Sequence, residues 1–139
     1  MQFSDKYSLA LESLLERDLV KSDGLAPAEL QSAEERLQLR LPRALADYYL
    51  LAGALDLNRQ HNRLYPPSAL EIMDQKLIFM EENQAVVLWG MGLQELNLPD
   101  PIVFQACNDL PLEWYSEEMP FSDFILKMWR WQFGLDPGL

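Results

Sequence analysis

The sequence predicts an α+β domain: a mainly antiparallel sheet of four to five strands, flanked by N-terminal helices and a C-terminal helix. Three observations predict it. Apolar residues recur at helical spacing through the front third. From about Asp56 the pattern changes to β-propensity runs divided by Pro and polar turn residues. A last stretch returns to helical spacing. At 139 residues the length suits one domain, 1–139, which buries roughly two-thirds of the surface its unfolded chain exposes. Nothing reads as a repeat, a linker or a low-complexity tract.

In FSDKYSLALESLLERDLVK, Leu11, Leu14, Leu15 and Leu19 lie near helical spacing, with Ser4 as the expected N-cap and Asp5 in the first turn. This makes 1–22 an N-terminal helix, broken by Ser22-Asp23-Gly24. LAPAELQSAEERLQLRLP places Pro27 at a first helical position and Glu29 in the first turn, with Leu30, Ala33 and Leu37 as the apolar stripe. Pro42 ends that helix and admits another, carrying Leu45, Tyr48, Tyr49 and Ala52 up to Gly53.

LNRQHNRLYPP reads as a looped or extended connection with an edge strand as one option, and Ser68 to Asp74 as a short turn or helix. KLIFM and AVVLWGM are strands joined by Glu-Glu-Asn-Gln, a hairpin-length connection. In the second run Val86 and Leu88 point one way, Val87 and Trp89 the other, so both faces are apolar, as in a central strand covered on both sides or a strand with helices on one face and a loop on the other. PIVFQAC and PLEWYS read as two further strands. FSDFILKMWRWQFG reads as a closing helix, with Ser122 as the expected cap, Phe121, Phe124, Ile125, Met128 and Trp131 or Gln132 at helical spacing, and Gly134 as the stop. Trp129 and Trp131 stand about 200° apart on that helix, so one of them should be partly exposed.

The charge excludes some functions. With 11 Lys and Arg against 22 Asp and Glu, the formal net charge is -11. Such a chain repels a nucleic-acid backbone and an anionic membrane surface and attracts a basic protein. No apolar run approaches the ~18 residues of a membrane span. The first residues also lack the basic and apolar regions of a signal peptide. Cys107 has no second cysteine to bridge and sits in an apolar run, where it reads as a small buried hydrophobe in a reducing compartment. The expected location is the cytoplasm.

Catalytic and metal signatures are missing from the sequence. One His and one Cys cannot supply the usual zinc ligands, and no DxDxDG-like loop occurs. GxSxG, HExxH and CxxC are absent, and His61, in NRQHNR, reads as a solvated loop residue. Trp89-Gly90-Met91-Gly92 lacks the third glycine and the helix start of a dinucleotide loop. Glu81 and Glu82, like Glu117 and Glu118, are neighbours that alternate faces on a strand, so they do not converge on one substrate. No catalytic residue, cofactor or metal is expected. Candidate partner contacts are Glu81, Glu82 and Asn83 at the hairpin tip, Glu113 and Tyr115 on the late strand, Glu117 and Glu118 after it, and Arg59 and Arg63 in the irregular segment.

Residues 25–53 resemble the N-terminal signature of the SUKH superfamily, whose members include fungal cell-wall synthesis regulators and bacterial toxin-immunity proteins. The matching residues are Glu29, Leu30, Ala33, Glu34, Leu37, Leu41, Pro42, Leu45, Tyr48 and Gly53. LIFMEENQAVVLWGM is similar to the family's hairpin, with a polar turn before a strand ending in Trp. PDPIVF resembles its proline-hydrophobe strand and SDFILKMWRWQ its closing helix, so the likeness spans 25–133 in order. Ala26 departs from a common Ser or Thr cap, and Ala52 from a polar residue before the glycine. The resemblance implies a SUKH-like sheet flanked by helices, no catalytic residues, and a protein partner. The expected function is that of an immunity protein that binds and neutralises a cognate toxin, a basic domain such as a nuclease. The alternative is a housekeeping regulator or scaffold protein of the same fold.

Overall fold

The computed structural model describes residues 2–135. Helix α1 (Phe3–Leu15) buries Tyr7 and Leu11 and ends at Glu16, which adopts a left-handed conformation. The helix expected over 1–22 is therefore shorter, and Leu19 lies beyond it. Its N-cap is Gln2 with no side-chain cap bond, and Ser4 lies inside the helix. In place of helix, residues 16–20 form a connection closed by polar side chains. Glu12 accepts the Leu19 amide at 2.8 Å, while Asp23 accepts the Val20 amide and a forked pair from Arg17.

Helix α2 (Pro27–Leu37) starts on Pro27 and buries Leu30 and Ala33. Proline fits here because the first helical N–H has no partner within the helix. Ala26 provides no side-chain cap. After Gln38 turns left-handed, Glu34 accepts the Leu41 amide at 2.8 Å and so closes the corner into Pro42 and α3 (Arg43–Ala52). Gly53 ends α3 with ordinary right-handed φ, so a left-handed cap is not its role. Close packing is: a Cβ there would stand 2.7 Å from the Leu25 side chain and the Tyr49 carbonyl.

Among the described residues six strands form one antiparallel sheet: β1 (Arg63–Leu64), β2 (Glu71–Met73), β3 (Lys76–Glu81), β4 (Val87–Gly92), β5 (Ile102–Cys107) and β6 (Tyr115–Pro120). The order is β1-β3-β4-β5-β6, and β2 pairs with β3 on the same side as β1. The α+β class and the closing helix agree with the sequence; the details of two strand segments do not. Residues 71–73, expected in a turn or helix, form β2, joined to β3 through Asp74 and Gln75, both at positive φ. Two consecutive left-handed residues match the twist of a tight hairpin, a geometry that the Asp-Gln dipeptide signals less clearly than Asn-Gly. The last strand is Tyr115–Pro120, not PLEWYS, and it runs directly into α4 (Phe121–Gln132).

Pro120, not Ser122, is the N-cap of α4. Ser122 is fully buried, and Asp100 accepts both its amide (2.9 Å) and its hydroxyl (2.6 Å), capping the helix from the β5 approach. Gly134, at positive φ, follows the helix as expected. Trp129 is buried and Trp131 half-buried, the division their angular separation predicts.

The helices cover one face of the sheet. Phe79 meets Phe121 and Phe124 edge-on at 5.2 and 6.0 Å, and Trp89 packs on Phe124 at 5.9 Å. Within this core the Trp129 indole donates to the Tyr48 hydroxyl, which donates to Asn58, which donates to the Ala52 carbonyl. Each buried polar group in that chain thus has a partner, as burial requires. Ile78, Leu88 and Ala106 are buried outside this cluster, on the opposite face. There Trp114, which precedes β6 at one edge, donates to Asp74 beside β3, so its ring lies across the sheet. The Lys76 ammonium stands 5.2 Å from that ring and 5.3 Å from Phe104. Both faces of the central strands are covered, as the apolar pattern of AVVLWGM predicts. Cys107 corrects another expectation: it is the exposed last residue of β5.

Candidate functional site

The register gathers most of the sequence candidates at one end of the sheet. Arg63 stands opposite Glu81 and Glu81 opposite Leu88; Val87 faces Cys107, and Gln105 faces Tyr115. The 82–86 connection and the 108–114 connection therefore share an end. They are tied there: the Asn108 amide donates to the Val86 carbonyl at 2.7 Å and its side chain to the Ala85 carbonyl at 3.0 Å. Arg63, Glu81, Glu82, Asn83, Asp109, Glu113 and Tyr115 therefore share this end of the sheet, spread from β1 at one edge to β6 at the other, and Glu117 lies two residues into β6 from Tyr115. Glu118 is one step further along β6 at positive φ, where the register with β5 shifts.

Several assignments change. Glu81 is the last residue of β3 and not part of the tip, and its carboxylate is engaged by Arg63 and by the Tyr65 hydroxyl at 3.1 Å. Burial first, then the neighbouring Glu81 charge, holds the Tyr65 phenol above its usual range. Glu113 precedes β6 instead of lying on it, and accepts the Tyr115 hydroxyl at 3.0 Å, which raises the Tyr115 pKa. Glu117 and Glu118 lie within β6, not after it. Glu117 accepts the Trp89 indole N–H at 2.8 Å, so it serves the buried ring as well as the surface. Among the described residues Glu82, Asp109 and Glu118 have no ion pair. Arg59 is paired with the exposed Asp56 on its own turn, 2.9 Å away.

The surface so formed is acidic: Arg63 is tied to Glu81, and the carboxylates stand with Tyr115, which is 61% exposed. Carboxylate acceptors arranged in this way bind cationic side chains and amides. Among the described residues no three His, Cys, Asp or Glu side chains are grouped to hold a metal ion. No described helix is long and apolar enough to cross a membrane. His61 is exposed and lies 5.4 Å from the half-buried Trp131 ring.

The opposite end of the sheet has a different surface, which the sequence reading did not single out. A groove of about 600 Å³ runs between the α2–α3 corner, β2 and the 93–99 connection. Leu37, Leu39, Ile72, Leu93 and Leu98 line it, with Arg40 and Arg43 at its border and no carboxylate in its lining. Ile72 and Leu98 remain 44% and 48% exposed. The alternation in LQLRLP and the isolated Leu98 of LNLPDP were the available signals, but either reads equally as core.

No family model, curated protein or solved structure matches this chain.

Proposed function

We propose that the chain is a non-enzymatic protein-binding domain of SUKH type, an immunity protein that binds and neutralises a cognate bacterial toxin in the cytoplasm. The observation that carries this reading is the placing of Glu82, Asp109 and Glu113 on the joined 82–86 and 108–114 tips, with Glu117 and Glu118 following along β6. A basic toxin domain, such as a nuclease built to hold phosphates, offers the complementary charge. Carboxylates so placed speed its capture and fix the orientation of docking. The net charge of -11 acts in the same direction, and the SUKH resemblance of residues 25–133 supports the reading independently.

The test is co-expression with the product of the adjacent open reading frame, followed by pull-down. Protection from toxicity together with a recovered complex is the expected result. A harmless neighbour with no complex would favour the housekeeping regulator. In the complex, Glu82→Lys with Glu118→Lys should slow association on the order of tenfold at low salt and much less at high salt.

A further inference from the structure

We infer that the groove between the α2–α3 corner, β2 and the 93–99 connection docks a partner segment carrying large aliphatic side chains flanked by carboxylates. Three observations carry this inference. Ile72 and Leu98 leave about half of their surface exposed beside Leu37, Leu39 and Leu93, and a contiguous apolar trough of this kind marks interaction sites on folded proteins. Its polar border is cationic in a chain with twice as many acids as bases, and no carboxylate lines it.

The cations are also available. Arg40 makes no ion pair among the described residues. Arg43 is 63% exposed; its guanidinium donates to the Gln2 side chain at 3.1 Å and holds Asp47 at 3.5 Å, exposed contacts of the kind that contribute little. Arg40 can turn to a bidentate carboxylate at the rim while the aliphatic side chains fill the trough, and Arg43 can join it by giving up these two contacts. The described end of the chain does not cover the groove, since Leu135 lines a separate recess beside Leu9 and Leu126.

This site goes beyond the proposed capture surface. The two lie at opposite ends of β4, Val87 at one and Gly92 at the other, so one can fail without the other. The chemistry is also reversed: the acidic end suits a basic domain, and the groove suits an acidic apolar segment. The groove is therefore not a second contact for the same basic surface.

The experiment is selection of a random dodecamer library displayed on phage against the whole protein, with anisotropy measurements on the enriched peptides. Enrichment of aliphatic residues interleaved with Asp or Glu is expected, and Ile72→Asp, Leu98→Asp or Arg40→Glu should weaken those peptides on the order of tenfold or more. Ile72 and Leu98 are half-exposed, so these variants should fold, which circular dichroism checks. Arg40→Glu should also move the preference toward lysine-bearing versions of the same peptides. Glu82→Lys should leave groove peptides bound. No enrichment, a basic consensus, or binding indifferent to the groove substitutions would overturn the inference. Displacement of the peptides by decanoate would overturn it in favour of a fatty-acid site. Loss of toxin capture with groove binding intact would sink only the reading of the acidic end.

Discussion

The two ends of the sheet differ in how their side chains are used. At the acidic end, the tip-bearing strands carry polar groups that largely hold one another: Glu81 with Arg63 and Tyr65, Glu113 with Tyr115, Glu117 with the Trp89 indole. At the groove end, aliphatic side chains from α2, β2 and the 93–99 connection stop short of closing over, and Arg40 beside them makes no ion pair among the described residues. An acid in a sequence is thus not automatically a free surface charge, and a leucine is not automatically core. Each end holds groups whose role depends on what faces them.

The two ends share a core, and the largest effect comes from breaking it. Phe79→Ala removes a fully buried ring that packs on Phe121 and Phe124; a loss of about 3–5 kcal/mol is expected in denaturant unfolding. Both binding surfaces should fail together in that variant. Independent survival of one would show that the ends fold separately.

Alkali tests the same shared core. Burial raises the pKa values of Tyr48 and Tyr49 above their ordinary value of 10.0, and Tyr65 at the acidic end is raised too. The folded state thus holds these phenol protons more tightly than the unfolded state. Stability from this source is fully present below pH 10 and declines as pH rises above it. A pH series of melting temperatures should fall on that side, and Tyr65→Phe should lessen the fall. At the other extreme, the hydrogen bonds from Arg17, then the Val20 amide, lower the Asp23 pKa below 3.8. That contribution is present above this pH and is lost as pH falls below it.

Smaller effects separate tied acids from free ones. Glu117→Ala strips the nearly buried Trp89 indole of its acceptor and should cost about 1–2 kcal/mol by equilibrium unfolding. Glu82→Ala, with no partner to lose, should change stability by less than about 0.5 kcal/mol. Equal effects would erase the distinction between scaffold and surface within the acidic end. The groove falls between these two. Ile72→Ser or Leu98→Ser should cost about 1 kcal/mol, because roughly half of each side chain is already in water.

Much of the fold is legible in the sequence because its signals are local. Pro27 and Pro42 place helix starts through their missing N–H, and the β-branched and aromatic runs at 76–81, 87–92 and 102–107 are strands in the structure. The missed elements depend on distant partners. Asp100 caps α4 from more than twenty residues away in place of Ser122, so the serine could not signal its own role. Residues 71–73 become a strand because β3 offers an edge, not because Glu-Ile-Met favours one. Cys107 ends an apolar run but lies where β5 leaves the covered part of the sheet.

The sequence by itself determined the α+β class, the order of most elements, the excess of carboxylates and the division of Trp129 from Trp131. All follow from composition, period and the chemistry of proline, which act over a few residues. Only the tertiary structure decided that the acids of two connections meet at one end, that Glu81 and Glu117 are held by Arg63 and Trp89, and that a leucine-lined groove stays open beside Arg40. Strand register and layer packing set those outcomes, and both are fixed by contacts between segments far apart along the chain.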